Sequence, residues 1–383
     1  MTGDYLALVR RICSSRWDFR LPKRVDVLIV FTTNSDLIAG YFPERSVATI
    51  DIASSQKNFW MVTHAAFTGG LNIRSYLKSY IRFARPSLVV SMQDNFPALW
   101  LLHGQVGNTK IALIQNGLRT DLADSMPIIH STTKVQPRVD YYFCFNKAIA
   151  DTFKTYVSAQ FVPIGSFRSN SVSRQQLAKT KSISYISTYR PAIPPNTTVG
   201  FTASGNVVTY QGLFTQRLRI IRHITQYCES RNLRLRVLGK DLDALGELEF
   251  YRQILPKDSF EFVPRPLGHY QYEACDQSFI VVSTSSTLGY EALSRGIRTA
   301  VFNFDSTLLN TKQYRFGWPV DLPDEGPFWS NKVDAPSINR ILDSLFEMPE
   351  ESWSHIVRGF SHCIPTYDEH NEIFVKTLGG VWS

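Results

Sequence analysis

Short, continuously apolar runs alternate with helical patterns along almost the whole of this 383-residue chain. In the first half the runs are "VDVLIVF" from Val25, "SVATIDI" from Ser46, "SLVVSM" from Ser87, "KIALIQ" from Lys110, "VDYYFCF" from Val139 and "AQFVPIG" from Ala159. Between them fall stretches such as "RSYLKSYIRFA" from Arg74, whose apolar residues recur every three or four positions. Strands that are apolar on both faces need helices on both sides, so the pattern predicts parallel sheets. A polar segment, "SFRSNSVSRQQLAKTKS" from Ser166, reads as a linker, after which the alternation resumes. The second set is "ISYIST" from Ile183, a long helix from Gly212, "LRLRVLG" from Leu233, "SFEFVP" from Ser259, "SFIVVS" from Ser278 and "RTAVFNF" from Arg298. Two closing helices are expected near Ser337–Met348 and Glu351–Phe360. The expectation is an α/β fold of two Rossmann-like domains facing a cleft. Residues 1–172 form the first domain and 173–335 the second, and helices of 336–383 pack back across them.

Such a chain is long enough for two ordinary cores. Its formal charge of +8 suits anionic partners, such as nucleotide phosphates, acidic glycans or a negative membrane surface. No dense Lys/Arg run or basic helix points to nucleic acid. The five cysteines are far apart and odd in number, which argues against a disulfide framework or a zinc site and for a reducing compartment. The N-terminus lacks a signal-peptide core, and no apolar run approaches the roughly 20 residues needed to span a bilayer. The expected location is cytoplasmic, with peripheral contact at the inner membrane face.

In open α/β sheets, ligands lie beyond the carboxyl ends of the strands. One such end is "VVSTSSTLGYEALSRG" (Val281–Gly296), where an apolar strand passes through five hydroxyl residues into a short helix. A helix start presents unpaired N–H groups and partial positive charge, and so attracts phosphate. Simple N-capping is the alternative, but a capping box needs Glu three residues after the cap, and Leu288 stands three before Glu291. The reading is a nucleotide seat in which Ser283, Ser285, Ser286 and Thr287 hold phosphate and Glu291 takes the ribose hydroxyls.

"QDNFPALW", "IQNG", "FNKAIAD", "PIGSFRSN", "STYRP", "STSSTLGYEALSRG", "FGWP" and "DEGPFWSN" follow one another nearly end to end. In that order they resemble bacterial surface-carbohydrate (capsule and O-antigen) biosynthesis glycosyltransferases of the GT-B type, related to transferases of Kdo-like ulosonic acids from CMP-linked donors. The resemblance implies a transferase that works in lipopolysaccharide or capsule synthesis. It would move a CMP-linked ulosonic acid such as Kdo onto a glycan or glycolipid acceptor, without metal or resident cofactor. A UDP- or GDP-sugar or CDP-glycerol donor, or a non-catalytic glycan-binding assembly subunit, are the alternatives. One departure is plain: where CMP-ulosonate transferases often carry His-Pro, this chain reads "FVPRPLGHY", with Arg265–Pro266 and a separate His269.

Asp94, just past the strand "SLVVSM", is the expected catalytic carboxylate, with an Asx-turn as its plainer reading. Asn95, Gln115 and Asn116 are placed beside it as acceptor contacts. Arg190, Lys240 and Arg265 stand at strand ends of the second half, where they can meet phosphate or carboxylate. Asp241 and Asp243 have D-x-D spacing but read as a solvated helix start. In "DEGPFWSN", Glu325 is the alternative base and Trp329 a sugar-stacking ring, unless it simply packs. Of the scattered histidines only His269 suggests a site.

Overall fold

The computed structural model describes residues 16–119, 136–175, 180–191, 193–267, 271–310, 314–332 and 334–382. Two six-stranded parallel sheets organise them. The first comprises β1 (Val27–Val30), β2 (Val47–Ile50), β3 (Leu88–Ser91), β4 (Lys110–Ile114), β5 (Arg138–Cys144) and β6 (Ser158–Pro163), in the order β2-β1-β3-β4-β5-β6. Every residue of β1 and β3 is buried, which is why these central strands are apolar without alternation. The second comprises β7 (Thr180–Ile186), β8 (Arg234–Leu238), β9 (Phe260–Val263), β10 (Ser278–Ser283), β11 (Thr299–Phe302) and the short β12 (Trp329–Ser330), ordered β9-β8-β7-β10-β11-β12. Each order reverses once, between β1 and β3 and between β7 and β10, and a crevice opens at such a reversal.

The helices that matter below are α1 (Phe59–Thr68), α2 (Ile73–Ala84), α3 (Tyr210–Ser230), α4 (Ala244–Ile254), α5 (Thr287–Ser294), α6 (Ala335–Glu347), α7 (Glu350–Gly359) and α8 (Glu372–Gly379). Side-chain caps fix several starts: Asn72 accepts from Ser75 N–H before α2, and Thr209 accepts from Gly212 N–H before α3. The Thr209 cap moves the start of α3 two residues ahead of the periodic run. A two-stranded antiparallel pair, Thr198–Phe201 with Val207–Thr209, is an addition the sequence pattern does not announce.

The polar stretch from Ser166 is not simply a linker. Phe167–Asn170 forms a helical turn capped by Ser166, and Phe167, Ser169 and Asn170 are buried. Arg295 pins the backbone on either side of the end of that turn. Its buried guanidinium binds Asp276 and donates to the carbonyls of Ser169, Val172 and Ser173. The chain end returns across both units. Leu342, Leu345 and Trp353, from α6 and α7, lie in the core of the second sheet, whereas Phe374 and Leu378 of α8 lie in that of the first.

The return passes close to β6. At Gly165 (φ +78) a Cβ would fall 1.6 Å from the Thr366 carbonyl oxygen. Gly165→Ala therefore combines a left-handed backbone with a main-chain clash, and is expected to lower stability by about 2–5 kcal/mol. Chemical denaturation checks this through a lower midpoint.

Candidate functional site

The second sheet's crevice is built first by its own turns. After β10 the chain passes through Thr284, Ser285 and Ser286 into α5. Ser285 takes a left-handed φ of 57°, and its N–H donates to Asn303 Oδ1 at 3.1 Å. That bond holds a conformation otherwise costly for a residue with a Cβ. Ser286, at the N-cap, makes no side-chain cap hydrogen bond. The capping alternative therefore has no support in the geometry, and the first turn of α5 meets the crevice with its N–H dipole exposed.

β7 and β8 contribute the opposite wall. Glu247 of α4, fully buried, accepts the N–H groups of Lys240 and Asp241 at 2.9 Å each and the Ser187 hydroxyl. Burial raises its carboxyl above the usual range. This carboxylate fixes the turn that aims Lys240. Asp243 caps α4 by accepting from Gly246 N–H, and Asp241 accepts from Asp243 N–H, so the D-x-D pair is a helix start.

Between the two sheets lies a cavity of about 520 Å³. Its wall includes Ser285, Ser286, Thr287, Leu288 and Glu291 from the α5 region, and Arg119 and Arg168 from the first unit. Arg190, Arg217, Lys240, Arg265 and Arg315 complete a strongly basic lining against two carboxylates, Glu291 and Asp305. Asp305 pairs with Arg217 at 2.7 Å, and Arg315 pairs with Asp324 at 2.6 Å. Arg190 and the Lys240 ammonium have no carboxylate partner among the described residues. Loss of water, and then the charges of Arg190 and Arg217, push the Lys240 ammonium down to about 8. Three buried polar atoms on the same wall, Tyr210 Oη, Arg217 Nε and Asp305 Oδ1, have no hydrogen-bond partner among the described residues. Unsatisfied groups at a cavity wall are suited to a polar ligand.

Two contacts tie the units together beside this cavity. Leu118 N–H donates to Thr287 Oγ1 at 3.2 Å, and the Ser166 hydroxyl donates to Glu291 Oε1. Glu291 is buried yet still borders the cavity, with one oxygen held from the first unit.

The structure brings together Arg190, Lys240, Arg265, Ser285, Ser286, Thr287 and Glu291 at this cavity, and sets the other expected site residues that it describes away from its wall. Ser283 is not on the wall: it is fully buried behind α5, where a Cβ on Gly289 would come within 2.2 Å of its Oγ. Asp94 is fully buried and cannot touch an acceptor. It receives Arg119 Nε at 3.1 Å, Tyr142 Oη at 2.8 Å, Asn116 N–H at 3.2 Å and a second Arg119 nitrogen. It binds Arg119, which borders the cavity. Gln115 is buried too, bridging Phe145 N–H and the Gly117 carbonyl, while Asn116 receives Arg168 through its carbonyl oxygen at 2.7 Å. Asn95 is exposed and does not border the cavity. Glu325 is away from it as well, paired with Arg340 at 3.1 Å. Trp329 is buried, stacked 4.8 Å from Phe316, with Nε1 bound to the Pro323 carbonyl. It is a core residue rather than a sugar platform. His269 lies outside the described residues.

Arg119, Arg168, Arg217, Arg315 and Asp305 are charged wall residues that sequence patterns miss. "SFRSN" contains Arg168, and the strand-end rule applied to Asn303 would have reached Asp305. Arg217, inside a long helix, gives no local signal.

A family model described as "putative O-antigen biosynthesis protein" matches residues 112–380. The chain belongs to that family. No curated protein matches it. Among solved structures, the wall teichoic acid polymerase TagF is similar at 11% identity over 99% of this chain and 95% of that one, with a TM-score of 0.51. A glycosyltransferase from Rickettsia africae is similar at 8% identity over 94% and 99%, again with a TM-score of 0.51. At such identities the likeness is one of fold, and it is the GT-B arrangement of two Rossmann-like units.

Proposed function

We propose that this member of the O-antigen family is a glycosyltransferase that takes its transferred unit from a nucleotide-activated donor. The observation that carries the reading is the basic cavity at the β7/β10 crevice. There Arg190 and Lys240 lack carboxylate partners among the described residues, beside the side-chain-uncapped start of α5. In this reading the donor phosphate lies against α5 and Lys240, and Glu291 accepts from the ribose through the oxygen that Ser166 leaves open. The Asp305–Arg217 pair meets the transferred unit's hydroxyls or carboxylate. Fixed cations around the departing phosphate stabilise negative charge as the glycosidic bond to the leaving group breaks. A cavity of about 520 Å³ is of the size that holds a ligand of this class.

A CMP-linked ulosonic acid suits the lining because its phosphate and its own carboxylate would each find a cation. CDP-glycerol is the second reading, since TagF, of similar fold, was soaked with CDPG. Thermal-shift titration with CMP, CDP-glycerol, UDP and GDP tests both. A specific nucleotide at about 100 times its Kd should add roughly 2.7 kcal/mol of stability. Arg190→Gln combined with Lys240→Met should remove that shift while leaving the unliganded melt in place. No shift with any nucleotide overturns the reading.

A further inference from the structure

Residues 52–93 contain no aspartate or glutamate, yet they carry Lys57, Arg74, Lys78, Arg82 and Arg85. None of these cations borders the basic cavity, so their role is independent of the donor reading. α2 sets Arg74, Lys78 and Arg82 four residues apart, which stacks them along one face. The opposite face buries Tyr76, Leu77, Ile81 and Ala84. Among the described residues, Arg74, Lys78, Arg82 and Arg85 are paired with no carboxylate.

Large apolar side chains stand exposed beside this stripe. On α1, Phe67 is 87% exposed and Trp60 is 45% exposed; on α2, Phe83 is 37% exposed. They form one neighbourhood. His64 lies between Trp60 and Phe67 along α1, and its ring meets that of Phe83 at 5.3 Å. Trp60 Nε1 donates to the Phe19 carbonyl at 2.6 Å, which brings exposed Phe19 and Leu21 to the same region. His64, Lys78, Arg82, Arg85 and Lys110 also border a second cavity of about 770 Å³. A soluble surface has no use for exposed rings interleaved with unpaired cations, whereas a bilayer interface takes both: rings at headgroup depth and cations against phosphate.

We propose that the α1–α2 face docks peripherally on an anionic phospholipid surface. No described helix is long and apolar enough to cross a membrane, so the contact is in-plane. Free nucleic acid, the competing polyanion, would satisfy the cations but leave Phe67 and Trp60 unburied along a duplex.

Co-sedimentation of the full chain with vesicles provides the test. The protein should pellet with vesicles of equal parts phosphatidylcholine and phosphatidylglycerol, but not with phosphatidylcholine alone, and raised salt should release it. Converting Arg74, Lys78 and Arg82 to Gln together should lower the partition coefficient about a hundredfold, at about fivefold per charge. Phe67→Ser with Trp60→Ser should weaken it as well. Removing the same charge elsewhere, by Arg219→Gln, Arg222→Gln and Arg252→Gln, should have little effect. Thermal melts of each variant show whether it is folded. Equal binding to both vesicle types overturns the proposal, as does an equal loss from the distant triple variant. So does retention of RNA by a chain that leaves anionic vesicles unbound.

Discussion

Asp94→Asn is expected to cost about 3–5 kcal/mol of stability, because it removes the charged carboxylate from the buried Asp94–Arg119 ion pair. The carboxylate is fully buried and receives Arg119, Tyr142 and Asn116 at once. An amide of the same shape can accept through only one atom and turns two hydrogens towards groups that are themselves donors. Arg119 also borders the basic cavity, so its loosening should weaken nucleotide binding in the same variant. Replacing both partners, as Asp94→Asn with Arg119→Met, should recover part of the stability while leaving the affinity low. Urea denaturation and nucleotide titration of the two variants check this. Were Asp94 instead the group that removes the acceptor proton, the single variant would keep its stability and affinity and lose only turnover.

The affinity for an anionic nucleotide should fall as pH rises above about 8, and Lys240 should be the cause. Its ammonium in the unliganded protein is held down to about 8 by loss of water and by Arg190 and Arg217. A phosphate bound beside it favours the charged form and so raises that value. The sign follows from linkage: the contribution is fully present below about 8 and is lost as pH climbs towards the higher value of the complex. Through that window affinity declines by up to about tenfold per pH unit. Lys240→Met should bind about 10–100-fold more weakly at pH 7, the range of a lost charge-assisted hydrogen bond, and should flatten the decline. Isothermal titration at several pH values separates the variant from the parent protein. A slope unchanged by Lys240→Met would assign the titration elsewhere.

The fold was readable because the determining signal is local. Apolar runs such as "SLVVSM" and "SFIVVS" became β3 and β10 within a residue or two. β12 escaped because two residues have no period, and α8 because its apolar face, Phe374 and Leu378, packs with Val27, Val90 and Phe143 of a sheet far earlier in the chain. At the site, the strand-end rule found Arg190, Lys240 and the α5 turn, whose places depend only on where a strand stops. Asp94, which the same rule reached, and Trp329 of "DEGPFWSN", for which packing was the alternative, are both enclosed, for a different reason. Asp94 does follow β3, but Tyr142 of β5 and Arg119 close over it, and only the assembled sheet brings those two together. Trp329 is buried by Phe316, Phe328 and Phe360, from three separate segments. Exposure is a property of the packed molecule, and it decides whether a carboxylate is a base or a strut.

The most direct test is a structure determined with a cytidine nucleotide bound. The phosphate should lie within hydrogen-bonding distance of the Thr287 and Leu288 N–H groups and of Lys240, with the ribose against Glu291. A nucleotide seated elsewhere while this basic cavity stays open would contradict the account.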